Sequence, residues 1–553
     1  MPTDDGSWRL PGSKSVPSGR PEAFGQRAMV ASAHPAAAAI GVGVLSRGGN
    51  AFDAAIAVAA AEGVLLPMMC GIGGDAFVVL YDAKRDETLA YNGSGVAASN
   101  ATREFFVDAG FRTMPLEGVH SVAVPGAVSV YEAIHRRHGS MPWSDLWSPA
   151  ISLAEDGLAI TDYVARWIHN QRELLSRYPE SARQYLTNGA GPSPGERWQA
   201  PNLARSLKLI ARDGADALYR GELGERLRNF LAEAGAHFSP DDFAHQQPTV
   251  YSPITTDYRG LQVCVTAPPS QGFLLSEQLN IIEGFEPQAF DLLSAERIHV
   301  LVEAKKLAFA DRNHYAGDPA FVDWPLDTLV SKAHAERRRA EIDPGRARWP
   351  DGALVAEHGG DTSYFAVADG DGNAVSFIHS LSAAFGSGVV AGDTGITLNN
   401  RAGRGFSLDA SHPNVIAPGR RTMHTLNAYI VFRDGKPWLV GGTPGGDQQT
   451  QWSTQVISAV VDYQADPQFA VEMPRWYSFP GTDPANLGLD PIVRIEQSIG
   501  ELNCRTLEGL GHKLDVVPDG AGGGAVQLIL CDHERGVLRG GSDPRPGGIA
   551  LGY

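Results

Sequence analysis

Between residues 359 and 400 the chain reads GGDTSYFAVADGDGNAVSFIHS and then LSAAFGSGVVAGDTGITLNN. Two alternating runs, Tyr364 to Ala368 and Ala374 to Leu381, flank the turn Asp369-Gly370-Asp371-Gly372-Asn373. Successive side chains of a strand face opposite ways, so period-2 alternation about an Asp/Gly turn specifies an antiparallel hairpin. The same signal recurs at 76–82 with 88–92, at 426–432 with 437–440 across Arg433-Asp434-Gly435-Lys436, and at 525–531 with 536–539. Hairpins this far apart in one chain require antiparallel sheets and leave little room for a doubly wound parallel one.

Helical patterns fill most of the remainder. An Ala-rich run at 34–48 stops at Gly48-Gly49, and Asn50 can cap the next helix, 51 to about 65, with Asp53 in its first turn. Further helices are expected at 126–138, 143–156, 160–175, 203–212, 222–235, 293–313, 449–463 and 500–511, with a strand pair near 249–266 and a strand at 492–496. Residues 1–28, polar and rich in Pro, Gly and Ser, are expected to form a flexible arm. The stretch 340–360 carries Pro344, Gly345, Pro350, Gly352 and Gly359-Gly360 and reads as an exposed linker. Before it the chain is helix-rich, and after it strand-rich. The class is therefore α+β, with antiparallel sheets sandwiched by helices.

Charge and composition remove several functions. The formal net charge is -17, so no basic face is on offer to nucleic acid or an anionic membrane. Cys70, Cys264, Cys504 and Cys531 fit neither a metal spacing nor a disulfide framework. No apolar run approaches the ~18 residues of a membrane span, and the N-terminus has no apolar core of a secretory signal, so a cytoplasmic location is expected. GGTPGGDQQT (441–450) lacks the Gly-Lys-Ser/Thr ending of a phosphate loop. There is no Gly-x-Ser-x-Gly elbow and no His-Glu-x-x-His, and His135 and His138 sit among arginines. What is left is Thr362, heading a strand just after Gly359-Gly360-Asp361. By itself such a threonine signifies β propensity.

A set of ordered blocks says more. MVASAHPAAAAIGVGVLSRGGNAFDAAIA (29–57), GIGGDAF (71–77), APPSQGF (267–273), EAKKLAFADRNHYAGDP (303–319), GDTSYFAVADGDGNAVS (360–376), FGSGVVAG with GITLNN (385–400) and GGTPGGDQQ (441–449) together resemble the γ-glutamyltranspeptidase family of N-terminal-nucleophile (Ntn) hydrolases. The resemblance implies a four-layer αββα sandwich made as a zymogen. Autocatalytic cleavage of the Asp361–Thr362 bond would leave a large chain (29–361 beyond the arm) packed against a small chain (362–553). It implies that Thr362 supplies the nucleophilic hydroxyl and, once freed, an α-amine of pKa about 8 as its base. Gly445 and Gly446 match the oxyanion-hole glycines, and Ser380 stands where a threonine hydroxyl supports the nucleophile. No metal or organic cofactor is implied. The implied partners are a small-molecule amide or acyl substrate and the two chains of one precursor.

The substrate-reading positions depart from the family pattern. Ser94 stands where an arginine holds the γ-glutamyl α-carboxylate, and Arg404 where an acid holds its α-amine. Arg401 replaces a glutamine, Ser382 an asparagine, and His424-Thr425 a Ser-Ser pair. The segment from Arg404 to His424 is shorter than in members with a lid over the pocket. An arginine facing a substrate ammonium is repulsive, whereas Arg401 and Arg404 suit a carboxylate, especially in bidentate recognition. The expectation is an amidohydrolase or acyltransferase of the acylase branch, taking a carboxylate-bearing acyl group that is not γ-glutamyl. Three alternatives stand beside it. One is a true γ-glutamyltransferase with a rebuilt clamp, one a natural-product enzyme cleaving a C–C or unusual amide bond, and one a relative that never processes.

Overall fold

A computed structural model describes residues 19–236, 238–315, 317–348, 361–479 and 491–553. Two seven-stranded sheets, antiparallel throughout, form its centre. One runs in the order Ile549–Gly552, Ala28–Ser32, Asp361–Asp369, Ala374–Ser382, Asp75–Asp82, Glu87–Asn92, Thr249–Tyr251. The other runs Ala23–Gly25, Val537–Ser542, Gln527–Asp532, Lys436–Gly442, Tyr429–Arg433, Leu261–Val265, Ile254–Tyr258.

Alternation along the central hairpin assigns the layers. Tyr364, Ala366, Ala368 and Ile378 pack with Ile430, Phe432, Val440 and Ile529 in the core between the sheets. Phe365, Val367, Val375 and Phe377 face the other way, onto the Ala-rich helices Pro35–Ser46 and Ala51–Leu65. The outer face of the second sheet (Val263, Val431, Leu439, Leu528) is covered by helices Gly272–Ile282, Ala295–Tyr315 and Gln448–Tyr463. The result is helix, sheet, sheet, helix. Small residues let the second helix press close, since all but Gly63 of its residues are buried. Asn50 caps it through Phe52 and Asp53 N–H, with Asp53 reciprocating to Asn50 N.

Most expected elements are present, and the differences have physical causes. The expected 160–175 helix is two, Asp162–Asn170 and Arg172–Ser176. Helix Gly272–Ile282 escapes sequence reading because it is buried on every side, which erases the 3.6-residue polar stripe. From residue 19 the expected arm is docked, not flexible. Ala23–Gly25 adds an edge strand beside Val537–Ser542, and Glu22 pairs with Arg539 at 2.9 Å. Ala28, also assigned to the arm, begins a buried central strand. Residues 1–18 lie outside the described residues. The linker is exposed over most of 341–348 but pinned by Ala347 N–H to the Leu510 carbonyl at 2.7 Å, while 349–360 lie outside the described residues. Among the described residues no helix is long and apolar enough to cross a membrane.

Candidate active site

Thr362 sits in a β-bulge. Asp361 pairs with Ser382 and Ser363 with His379, so two residues, Ser380 and Leu381, oppose Thr362. Bulges re-aim a side chain while leaving the ladder on either side intact. Thr362 is buried, and its Oγ1 donates to Ser380 Oγ at 3.0 Å. Ser380 Oγ also accepts from the Ser382 amide at 2.7 Å. Ser382 has φ 87°, a left-handed conformation that costs a residue with a Cβ of order 1 kcal/mol or more. Its carbonyl accepts from Arg404 Nη1 at 2.8 Å, which helps hold that conformation.

The opposite face of the hairpin carries a polar network around His379, which the sequence does not mark. His379 Nε2 lies 2.8 Å from Glu62 Oε2, and Nδ1 lies 3.1 Å from Tyr131 Oη. Ser32 Oγ donates to Glu62 Oε1 at 2.7 Å. All four residues are fully buried. One side-chain set thus ties strand Ala28–Ser32, the helix over it and the strand of Ser380 in a single register.

Gly445 and Gly446, at φ 128° and 55°, turn the chain from strand Lys436–Gly442 into helix Gln448–Tyr463. A Cβ on Gly445 would stand 2.3 Å from the Trp452 ring. The turn is braced from outside. Gln271 Nε2 donates to the Gly446 carbonyl at 2.9 Å and to that of Thr425 at 2.8 Å. The buried Arg312 guanidinium bonds Gln271 Oε1 and pairs with the buried Asp447. Gln271, Arg312 and Asp447 each lie in a block quoted for the family resemblance, but nothing in their spacing marks them as one brace.

Thr362 and Gly445 share a cavity of about 340 Å³, with Pro444 and Gln448 beside them. A smaller cavity, about 160 Å³, lies at the far end of the strand, around turn residues 369–373 and 532–537, away from Thr362.

The six substrate-reading residues expected from sequence, Ser94, Ser382, Arg401, Arg404, His424 and Thr425, do not line that cavity. Arg401 and His424 meet at a residue the sequence did not single out, Asp75, which also bonds Gly95 next to Ser94. Its Oδ2 receives Arg401 Nε at 2.8 Å and lies 3.2 Å from His424 Nε2, while Oδ1 accepts from Gly95 N–H at 3.1 Å. Burial pushes the Asp75 carboxyl up, but the His424 hydrogen bond and the Arg401 charge outweigh it and hold the group below its usual range. Burial, reinforced by Arg401, pushes His424 down to about 4, so it is neutral near pH 7. Leu426 N–H donates to His424 Nδ1 at 3.3 Å, which leaves the proton on Nε2, facing Asp75.

One sequence expectation changes here. Arg401 is buried and Arg404 half-buried. Arg401 cannot offer a substrate its whole fork, because Nε is committed to Asp75. Its Nη2 has no hydrogen-bond partner among the described residues, and neither have the buried Ser94 Oγ and Ser382 Oγ. A third cation, Arg421, was missed. Its Nε donates to the Ser94 carbonyl at 3.0 Å and its Nη2 to that of Gln247 at 3.2 Å, which sets a guanidinium beside the Ser94 backbone.

An αββα sandwich with a buried threonine at the head of a central strand, facing a glycine turn across a cavity, defines an Ntn hydrolase. Residues 37–553 match the family described as Gamma-glutamyltranspeptidase, and the chain belongs to that family. It is 40% identical to the glutathione hydrolase-like YwrD proenzyme of Bacillus subtilis (strain 168), over 96% of this chain and 99% of that one. It is 34% identical to the acylase ACY 1 proenzyme of Pseudomonas sp. (strain SE83), over 91% of this chain and 89% of the other. Among solved structures, a cephalosporin acylase from Bacillus halodurans superposes with a TM-score of 0.89 at 34% identity, covering 99% of both chains. The chain is thus a hydrolase of this family.

Proposed function

We propose that the chain cuts itself before Thr362 and then hydrolyses or transfers amides through a Thr362 acyl-enzyme, with an acyl group that ends in a carboxylate and lacks an α-ammonium. In the precursor Thr362 Oγ1 attacks the Asp361 carbonyl carbon. The peptide nitrogen leaves as the free α-amine, an ester forms, and water hydrolyses it to an Asp361 carboxylate and the regenerated Thr362 hydroxyl. In the mature enzyme that amine takes the hydroxyl proton as Oγ1 attacks a substrate amide, and the Gly445–Gly446 turn supplies N–H donors to the oxyanion. The same amine returns the proton to the departing nitrogen. Water or an amine then releases the acyl group.

The observation that carries the acyl preference is three buried side-chain atoms without a hydrogen-bond partner among the described residues, on residues expected to read the substrate: Arg401 Nη2, Ser94 Oγ and Ser382 Oγ. Each costs about 1–3 kcal/mol if left unmade, and each can donate to a carboxylate. The acid in this cluster, Asp75, is already occupied by Arg401, His424 and Gly95. An incoming ammonium would meet arginines and a neutral histidine. The glutathione hydrolase-like relative is what favours a γ-glutamyl reading instead.

Two measurements decide. Intact mass spectrometry should show two chains split between 361 and 362 in the wild type and one chain in Thr362→Ala; a cut elsewhere, or any cut in the variant, refutes the nucleophile. Glutaryl-p-nitroanilide and γ-glutamyl-p-nitroanilide differ only in the α-amine. The glutaryl compound should have the higher kcat/KM by about 100-fold, the equivalent of ~3 kcal/mol for an unmatched charge. Equal or reversed values would restore the γ-glutamyl reading.

A further inference from the structure

The cavity at Thr362 has walls that the acyl-side chemistry does not use. Tyr163 and Trp167 stand four apart on helix Asp162–Asn170, their rings 6.4 Å apart at 78°. That helix buries Val164, Ala165 and Ile168 in the core, while Tyr163 and Trp167 stay only partly buried and face the cavity. The same cavity is lined by a second edge-to-face pair, Trp452 and Tyr477, at 5.6 Å and 89°. A third wall is the glycine loop 520–524. A Cβ on Gly524 would stand 2.9 Å from the Trp452 ring and one on Gly523 3.3 Å, so the missing side chains let the loop lie against the indole. Four aromatic rings and a glycine loop therefore line, with Thr362 and Gly445, an open cavity of about 340 Å³.

We infer that this cavity binds an aromatic ring on the amine half of the substrate, the leaving group of hydrolysis or the acceptor of transfer. The inference rests on the reading that the acyl carboxylate lies toward Arg401 and Ser94. The scissile carbon must sit between Thr362 Oγ1 and the Gly445 turn, so the rest of the substrate continues into the aromatic side. The space suits a neutral ring. The guanidinium of Arg545 is held by Glu496 and Asp543, and that of Arg166 pairs with Asp162 at 3.2 Å, so the cationic groups lining the cavity are balanced by acids. An aliphatic group of equal size would gain the same apolar burial. A planar ring gains edge-to-face contacts in addition, each a factor of about 2–10 in binding.

The test compares the glutaryl amides of benzylamine and cyclohexylmethylamine, both primary alkylamine leaving groups of similar size. In the processed wild type kcat/KM should favour the benzylamide by about 10-fold or more. In Trp167→Leu the ratio should fall to within about two-fold, and Trp167→Phe should restore most of it. Both variants should still split at 361/362, because the Thr362 hydroxyl is bonded to Ser380 and not to Trp167. A ratio near one in the wild type, or an unchanged ratio in Trp167→Leu, overturns the inference. If the glutaryl preference itself fails, the same comparison with γ-glutamyl amides separates the two ideas. A benzyl preference that persists and still depends on Trp167 leaves the aromatic site standing without the acyl reading, and its loss there overturns the site as well.

Discussion

Asp75 shows how one buried carboxylate can set the chemistry of its neighbours. It fixes Arg401 through Nε, orients His424 through Nε2, and leaves Arg401 Nη2 as an orphan donor. His424 carries a pH signature. Its pKa falls from an ordinary 6.5 to about 4 in the fold, mainly through burial, then through Arg401. Between those values the unfolded chain binds a proton that the folded chain refuses, so stability falls as pH drops from 6.5 toward 4. The full contribution is present above 6.5, and its loss across the window is about 3 kcal/mol. Denaturant unfolding from pH 7 to 4.5 should show this slope, and His424→Asn should lower it while leaving that of other buried histidines such as His512. A variant as pH-sensitive as the wild type would contradict the assignment.

At the scale of elements, the Gly445–Gly446 turn is where geometry is tightest. Gly445→Ala would put a methyl 2.3 Å from Trp452 at φ 128°, so the turn must move. Losing an aligned oxyanion donor costs about 100- to 1,000-fold in kcat. The variant should lose kcat on the acyl substrate by this amount. Gly435→Ala is the control: at φ 74° and with no atom within 4 Å, it should keep full activity and lose only about 1 kcal/mol of stability. Equal activity in the two variants would show that the Gly445 turn does not serve the reaction. The hairpins and the capped helices were legible in sequence because their signals are local: alternation, a turn, an Asn cap. Helix Gly272–Ile282 was not, and neither was edge strand Ala23–Gly25, because their signals lie in what packs against them.

At the scale of the molecule, both sheets interleave the two segments that cleavage would create. Strand Ala28–Ser32 lies between Ile549–Gly552 and Asp361–Asp369, and strand Leu261–Val265 pairs with Tyr429–Arg433. Breaking one peptide bond removes none of these ladders. The processed chains should co-elute in native size-exclusion chromatography and unfold in one transition. Separate elution without denaturant would mean that cleavage loosens the sandwich.

The sequence alone determined the hairpins, the α+β class, Thr362 at the head of its strand, and, through ordered blocks, the family. These follow from neighbours in the chain and from motif order. It also raised Ser94, Ser382, Arg401, Arg404, His424 and Thr425 as expected substrate contacts, but not which residues they meet in the fold. Only the tertiary structure decided that Arg401 is half spent on Asp75, that Arg421 reaches the Ser94 backbone, and that His379 locks onto Glu62. Partners hundreds of residues apart leave no spacing to read; burial and hydrogen bonding across the fold select them. The aromatic cavity is the same case, since Tyr163 and Trp167 line one cavity with Trp452 and Tyr477 only in the folded chain.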